Sequence, residues 1–157
     1  MPLKIMTDKI NKVIEIKNEF NIPDFILNAR TDSLRSINNR NEALKIAIER
    51  CNNYLELGAD ICFVTYVQTK EEIKLLKKEI NGPLSIAAGL PYNIKEFSIN
   101  DCVEYGVERV SLPSILISAS IKSMHSMLNE IMRSGTFNEI IKDDKLININ
   151  VLSELLK

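Results

Sequence analysis

Apolar residues recur along the chain in two alternating rhythms. Between residues 8 and 20, Ile10, Val13, Ile14 and Ile16 fall mostly on one helical face, with Thr7 or Asp8 as the cap, which predicts a first helix. A proline in the stretch 21–24 ends it. The run "FILNA" at 25–29 follows as a short apolar segment bounded by turn residues, the pattern of a strand covered on both faces. From 40 to 57, Ala43, Leu44, Ala47, Ile48, Cys51, Tyr54 and Leu55 return at three- and four-residue steps, an amphipathic helix that Gly58 stops. "ADICFVTYV" at 59–67 reads as the second strand. A helix over 69–80 carries Thr69 and Glu72 at the spacing of a capping box. Gly82 and Pro83 introduce a third strand, "LSIAAG", followed by a mostly helical 93–106 that Gly106 closes. "VERVSL" at 107–112 is the fourth strand, before a long helix over 114–133.

Strand and helix in alternation mean parallel pairing with right-handed crossovers, hence an α/β fold. Gly58, Gly82 and Gly106 stand 24 residues apart, each between a helix and the next strand, so the repeating unit is a βα pair. Residues 1–137 are expected to form this array, and 138–157 a looser tail ending in a short helix.

The chain of 157 residues, 45% hydrophobic, supports one core, and so one domain or part of one. Twenty basic against twenty-one acidic residues give a net charge of −1 without a basic stripe, which speaks against nucleic acid as a partner. Cys51, Cys62 and Cys102 are scattered, with no CxxC pair and no histidine nearby, so neither a zinc site nor a disulfide framework is indicated and a reducing, cytoplasmic setting is expected. The N-terminus is broken by Lys4, Asp8 and Lys9, and no stretch reaches the roughly 18 apolar residues of a membrane span.

The strand ends carry the candidate chemistry. In the first strand Ile26, Asn28 and Arg30 share one face, while Phe25, Leu27 and Ala29 share the other and are expected to meet the helices. The first face turns polar toward the C-terminal end, where parallel α/β proteins bind ligands. Arg30 is therefore a candidate anion clamp, because a guanidinium stays charged and its fork of donors matches a carboxylate or phosphate. Asn28 adds a donor or acceptor one layer below. The alternative is that Arg30 only pairs with an acidic neighbour at the rim while Asp32 or Ser33 caps the next helix. Ser111 and Ser114 flank the end of the fourth strand, within reach of a ligand or as caps. His125, the one histidine, lies mid-helix and is read as structural or exposed, and Cys62 as a small buried hydrophobe.

"FILNARTD", "NEALKIAIERCNNYLELGADICFV", "GPLSIAAG" and "EYGVERVSLP", in this order and at fitting distances, resemble the second half of the isocitrate lyase and phosphoenolpyruvate mutase superfamily, with the branch of methylisocitrate lyase and phosphonomutase-like proteins nearest. The similarity covers nearly all of residues 8–137. It implies a (β/α)8 barrel enzyme that binds Mg²⁺ and cleaves or rearranges a C–C or P–C bond in a small oxo or hydroxy acid through a pyruvate enolate. Arg30 would hold the substrate's anionic group, with Asn28, Asp32 and Thr65 beside it. Two positions depart from the family: Thr65 stands where some members have a glutamate or histidine, and Ala87 where methylisocitrate lyases have an asparagine.

Such a barrel needs about 250 residues and eight βα units, and four strands are legible here. The resemblance places the acidic metal ligands in the first four strands, so none of them is expected in this chain, which aligns with strands five to eight. The expectation is the C-terminal half of a TIM barrel whose open edges favour a homo-oligomer or a missing N-terminal half. The broad apolar surface of the helix over 114–133 also fits an oligomer. Two other readings stay open: a noncatalytic half-barrel module that pairs with itself or another chain, and a flavodoxin-like open sheet binding a phosphate-bearing ligand.

Overall fold

A computed structural model of the chain describes residues 2–142 and 146–157. Residues 143–145 of the expected tail lie outside the described residues. Two compact units divide between Pro113 and Ser114, whereas the sequence pattern suggested a boundary at 137.

The first unit is built on four strands, β1 (Asn28–Thr31), β2 (Ile61–Val64), β3 (Leu84–Ala87) and β4 (Arg109–Ser111), in the order β1-β2-β3-β4 and all parallel. Helix α1 (Leu3–Glu19) precedes the sheet, α2 (Ser33–Ser36) and α3 (Arg40–Glu56) join β1 to β2, α4 (Lys70–Glu79) joins β2 to β3, and α5 (Ile99–Glu104) joins β3 to β4. Side chains on alternate strand positions, Ala29, Cys62, Val64, Leu84 and Ile86, are buried in one core with Ala47, Cys51 and Tyr54 of α3 and Ile73 and Leu76 of α4. Dense burial of small and branched side chains against the helices is the main stabilising term.

Local chemistry fixes the helix ends. Asn39 and Thr69 each accept the N–H of the third residue beyond, from Glu42 and Glu72. In α4 the Glu72 carboxylate does not complete a capping box with Thr69 but turns to the Gln68 N–H, at 2.7 Å. Ser98 and Asp101 close a reciprocal box that starts α5.

Three elements differ from the sequence pattern. Helix α1 begins at Leu3, because Pro2 holds a φ of −57° that suits helix entry and lacks only a donor the first turn leaves unused. Thr7 and Asp8 therefore lie inside the helix. Strand β1 runs later than 25–29: the Leu27 carbonyl accepts the N–H groups of Asp60 and Ile61, the ladder with β2 starts at Asn28 opposite Ile61, and Phe25 and Ile26 stay outside it, exposed. Phe25 thus does not face the helices. The segment before α5 is turn rather than helix, since the buried Asn93 amide donates to the Val67 and Ala87 carbonyls and accepts from the Leu90 N–H. A side chain so engaged with three backbone groups competes with helix formation.

Two of the glycines 24 residues apart, Gly58 and Gly106, take φ values of 100° and 73° that side-chain-bearing residues rarely adopt. Gly82 serves differently: a Cβ there would stand 3.0 Å from Leu55 Cδ1.

The second unit holds α6 (Ile115–Ser134), α7 (Asn138–Lys142) and α8 (Ile149–Leu155). Helix α6 buries no residue and ends on Gly135 in a left-handed cap. His125 is exposed on it, with the Asn129 amide 3.1 Å from its Nδ1. No helix among the described residues is long and apolar enough to cross a membrane.

Candidate functional site

The register of the sheet lines up Arg30, Phe63, Ser85 and Arg109 across the four strands, on the side opposite the helix-packed positions. Arg30 lies one residue before the end of β1 and its side chain is half exposed. Its Cζ sits 5.7 Å from the centre of the Phe63 ring, a cation–π contact. Arg109 Nη1 donates to Ser85 Oγ at 3.1 Å and to Ser111 Oγ at 2.7 Å.

Asp32 orients Arg30. Nε and Nη2 of Arg30 both donate to Asp32 Oδ1, at 2.9 and 2.7 Å, and the Thr65 hydroxyl donates to the same oxygen at 2.7 Å. Partial burial pulls the Asp32 carboxyl upward, but the bonds from Arg30 and Thr65 outweigh it and hold the group below its ordinary value. Asp32 precedes α2 without capping it through its side chain; Ser33 begins that helix, and its hydroxyl lies 3.2 Å from the Thr31 hydroxyl.

A cleft of about 570 Å³ opens over this row, lined by Arg30 and Arg35, by Phe63, Thr65 and Tyr66, by Ala87, Leu90 and Tyr92, and by Ser111 and Pro113. Of the residues singled out from the sequence, Arg30, Thr65, Ala87 and Ser111 line it. Asp32 lines a neighbouring cleft of about 100 Å³, and Asn28 lies two residues before Arg30 on the same strand. The Asn28 Oδ1 is buried without a hydrogen-bond partner. Ser114 heads α6 in the second unit and makes no capping bond with its side chain. Cys62 is buried and its thiol donates to the Cys51 carbonyl at 3.2 Å; that neighbouring sulfur and burial push the Cys51 thiol well above its ordinary value, so Cys51 lacks the character of a nucleophile.

Four lining or flanking residues were not evident from the sequence. Arg109 could have been found from strand alternation, since it shares a face with Ser111. Arg35 belongs to a one-turn helix that leaves no periodic signal. Tyr66 follows Thr65 and by alternation belongs to the opposite face, but its φ of 67° turns it into the cleft, where its ring lies 4.2 Å from that of Tyr92. Tyr92 sits in the turn at 91–96, which takes the place of the first residues of the expected helix.

Magnesium, which the resemblance implies, finds no matching set of ligands here. Among the described residues no three His, Cys, Asp or Glu side chains are grouped to hold a metal ion, and the nearest carboxylate, Asp32, already accepts three donors on one oxygen.

The model of the phosphoenolpyruvate phosphomutase family matches residues 1–132. The 2-methylisocitrate lyase of Aeropyrum pernix is 32% identical over 129 residues, which are 78% of this chain and 38% of that protein. Among solved structures, 2,3-dimethylmalate lyase, described as a member of the phosphoenolpyruvate mutase/isocitrate lyase superfamily, superposes with a TM-score of 0.74 at 18% identity, covering 87% of this chain and 46% of its own. Oxaloacetate acetylhydrolase in complex with oxalate superposes with a TM-score of 0.75 at 17% identity, covering 87% and 45%. The chain thus spans less than half the length of these relatives. A family match over most of its residues, together with four parallel strands that alternate with helices, shows that the chain belongs to the isocitrate lyase/phosphoenolpyruvate mutase superfamily.

Proposed function

We propose that this chain supplies strands five to eight of a barrel enzyme, a lyase or mutase that acts on a small oxo or hydroxy acid through a pyruvate enolate, with Arg30 holding the substrate's anionic group. The observation that carries this is the placement of Arg30: at the C-terminal end of a parallel strand, in a cleft, with two of its guanidinium nitrogens fixed by Asp32 and Nη1 left for a ligand. The named relatives act on small organic acids, which fits an arginine in this position. Asn28 on the same strand and Asp32 just beyond its end support it, and the Thr65 hydroxyl, by bonding Asp32, helps to set its angle.

The metal that such an enzyme uses would be held by residues other than the described ones, on the first four strands of the barrel or on a partner chain, because the described residues do not make its site. Buried free thiols suit a reducing cytoplasm.

The test is titration of the purified chain with oxalate, a mimic of the pyruvate enolate, by calorimetry. Binding that weakens at least tenfold in Arg30→Ala supports the assignment. Oxalate binding of equal strength in both forms removes Arg30 from the site.

A further inference from the structure

The cleft is lined by two unlike sets of side chains. Arg30 and Arg35 supply positive charge, while Tyr66, Tyr92, Phe63, Leu90 and Pro113 supply rings and apolar carbon, and its lining includes no carboxylate and no imidazole. The tyrosines form a continuous wall, with ring centres 4.2 Å apart and planes inclined by 39°.

That wall depends on a backbone conformation which a tyrosine does not adopt unaided, and a specific device holds it. Arg40 reaches from the start of α3 to donate to the Tyr66 carbonyl at 2.8 Å through Nη2 and to the Leu34 carbonyl at 2.8 Å through Nη1. Glu72 of α4 receives Arg40 on both oxygens, at 2.6 and 2.7 Å, and accepts the Gln68 N–H, so the Tyr66 carbonyl and Gln68, two residues on, are tied to the starts of two helices. A left-handed tyrosine persists where its surroundings over-determine it, and such positions gather at ligand sites.

We propose that Tyr66, backed by Tyr92 and held in place by the Arg40–Glu72 pair, selects the substrate, favouring 2-oxo acids that carry an apolar or aromatic substituent next to the carboxylate bound by Arg30. This rests on the reading of Arg30 given above. A ring wall adjoining a cation binds a carboxylate at one end of a ligand and removes its apolar end from water at the other. Thr65, in place of a titratable side chain, adds no charge that would oppose burying such an end.

Pyruvate and phenylpyruvate are the probes, titrated into the whole chain. The wild type binds phenylpyruvate at least about tenfold more tightly than pyruvate, the scale on which a pocket discriminates by apolar contact. Tyr66→Ala, which keeps a Cβ at the same backbone angle, brings the two affinities to within about threefold, and Tyr66→Phe retains the preference. Glu72→Gln loses the preference as Tyr66→Ala does, while circular dichroism shows it folded and pyruvate still binds. An unchanged ratio in Tyr66→Ala, or no preference in the wild type, overturns the proposal even where Arg30→Ala abolishes binding of both acids. A preference that depends on Tyr66 but survives Arg30→Ala overturns the assignment of Arg30 instead, and failure of both acids to bind overturns the two together.

Discussion

Arg40 and Glu72, 32 residues apart, meet through two parallel hydrogen bonds, Nε to Oε1 at 2.6 Å and Nη2 to Oε2 at 2.7 Å, with the glutamate side chain 10% exposed and the arginine 29%. The pair joins the start of α3 to the first turn of α4, and each member spends its remaining capacity on backbone groups. A charge removed from water in this way is stabilising only while its partner remains.

Glu72→Gln should therefore lower stability by about 2 kcal/mol, since it leaves a mostly buried guanidinium facing a neutral amide. Urea unfolding followed by circular dichroism measures this as a fall in the midpoint at unchanged slope. A midpoint equal to the wild type would mean the pair contributes nothing net.

The same carboxylate gives a pH dependence of known sign. Burial pulls the Glu72 carboxyl upward, but the bonds from Arg40 and the Gln68 N–H prevail and hold it below its ordinary value of 4.5. Between the folded and ordinary values the unfolded chain binds the extra proton, so stability is complete above about pH 4.5 and is lost as pH falls through the lower, folded value. Asp32 and Glu108 shift in the same direction, so the wild type weakens in acid on several accounts. Urea midpoints from pH 7 to pH 3 should fall more steeply for the wild type than for Glu72→Gln, and parallel curves would deny Glu72 its share.

The glycines 24 residues apart should respond unequally to alanine. At Gly58 a side chain meets a φ of 100°, and Gly58→Ala should cost about 1–2 kcal/mol. Gly82 has no such φ, and the atom its new Cβ would press is the tip of the Leu55 side chain, which can turn aside. Gly82→Ala should cost less, and equal losses in urea unfolding would show that backbone angle is not what separates the two sites.

Thr65→Val keeps the shape of a nearly buried side chain and removes the donor to Asp32. The Asp32 carboxyl should titrate at higher pH than in the wild type, because one of the three bonds it accepts is gone, and stability should drop by about 1 kcal/mol. An NMR titration of the Asp32 carboxyl carbon reads the first effect directly, and an unmoved value would mean that Arg30 alone sets it.

The parallel order of the strands was legible because each helix and strand obeys its own period, and the place of Arg30 at a cleft because an arginine at the end of an apolar strand breaks that period. What the pattern hid follows from interactions that period cannot encode. Phe25 and Ile26 are as apolar as a strand needs, yet the ladder starts at Asn28 because the pairing backbone of Ile61 begins there. Residues 93–98 have helical composition, but the Asn93 side chain takes up the backbone groups around it. Tyr66 faces the cleft against its alternation because one residue changes hand, under the hold of an arginine 26 positions away.

Along the first three strands, positions that meet the helices interleave with positions that line the cleft: Ala29 with Arg30, Cys62 and Val64 with Phe63, Leu84 and Ile86 with Ala87. The two sets share a backbone and no side chain. Exchange of the cleft residues leaves the surface presented to α3 and α4 unaltered, so a lineage built on this sheet is free to reshape its cleft at a few alternate positions without renegotiating its fold.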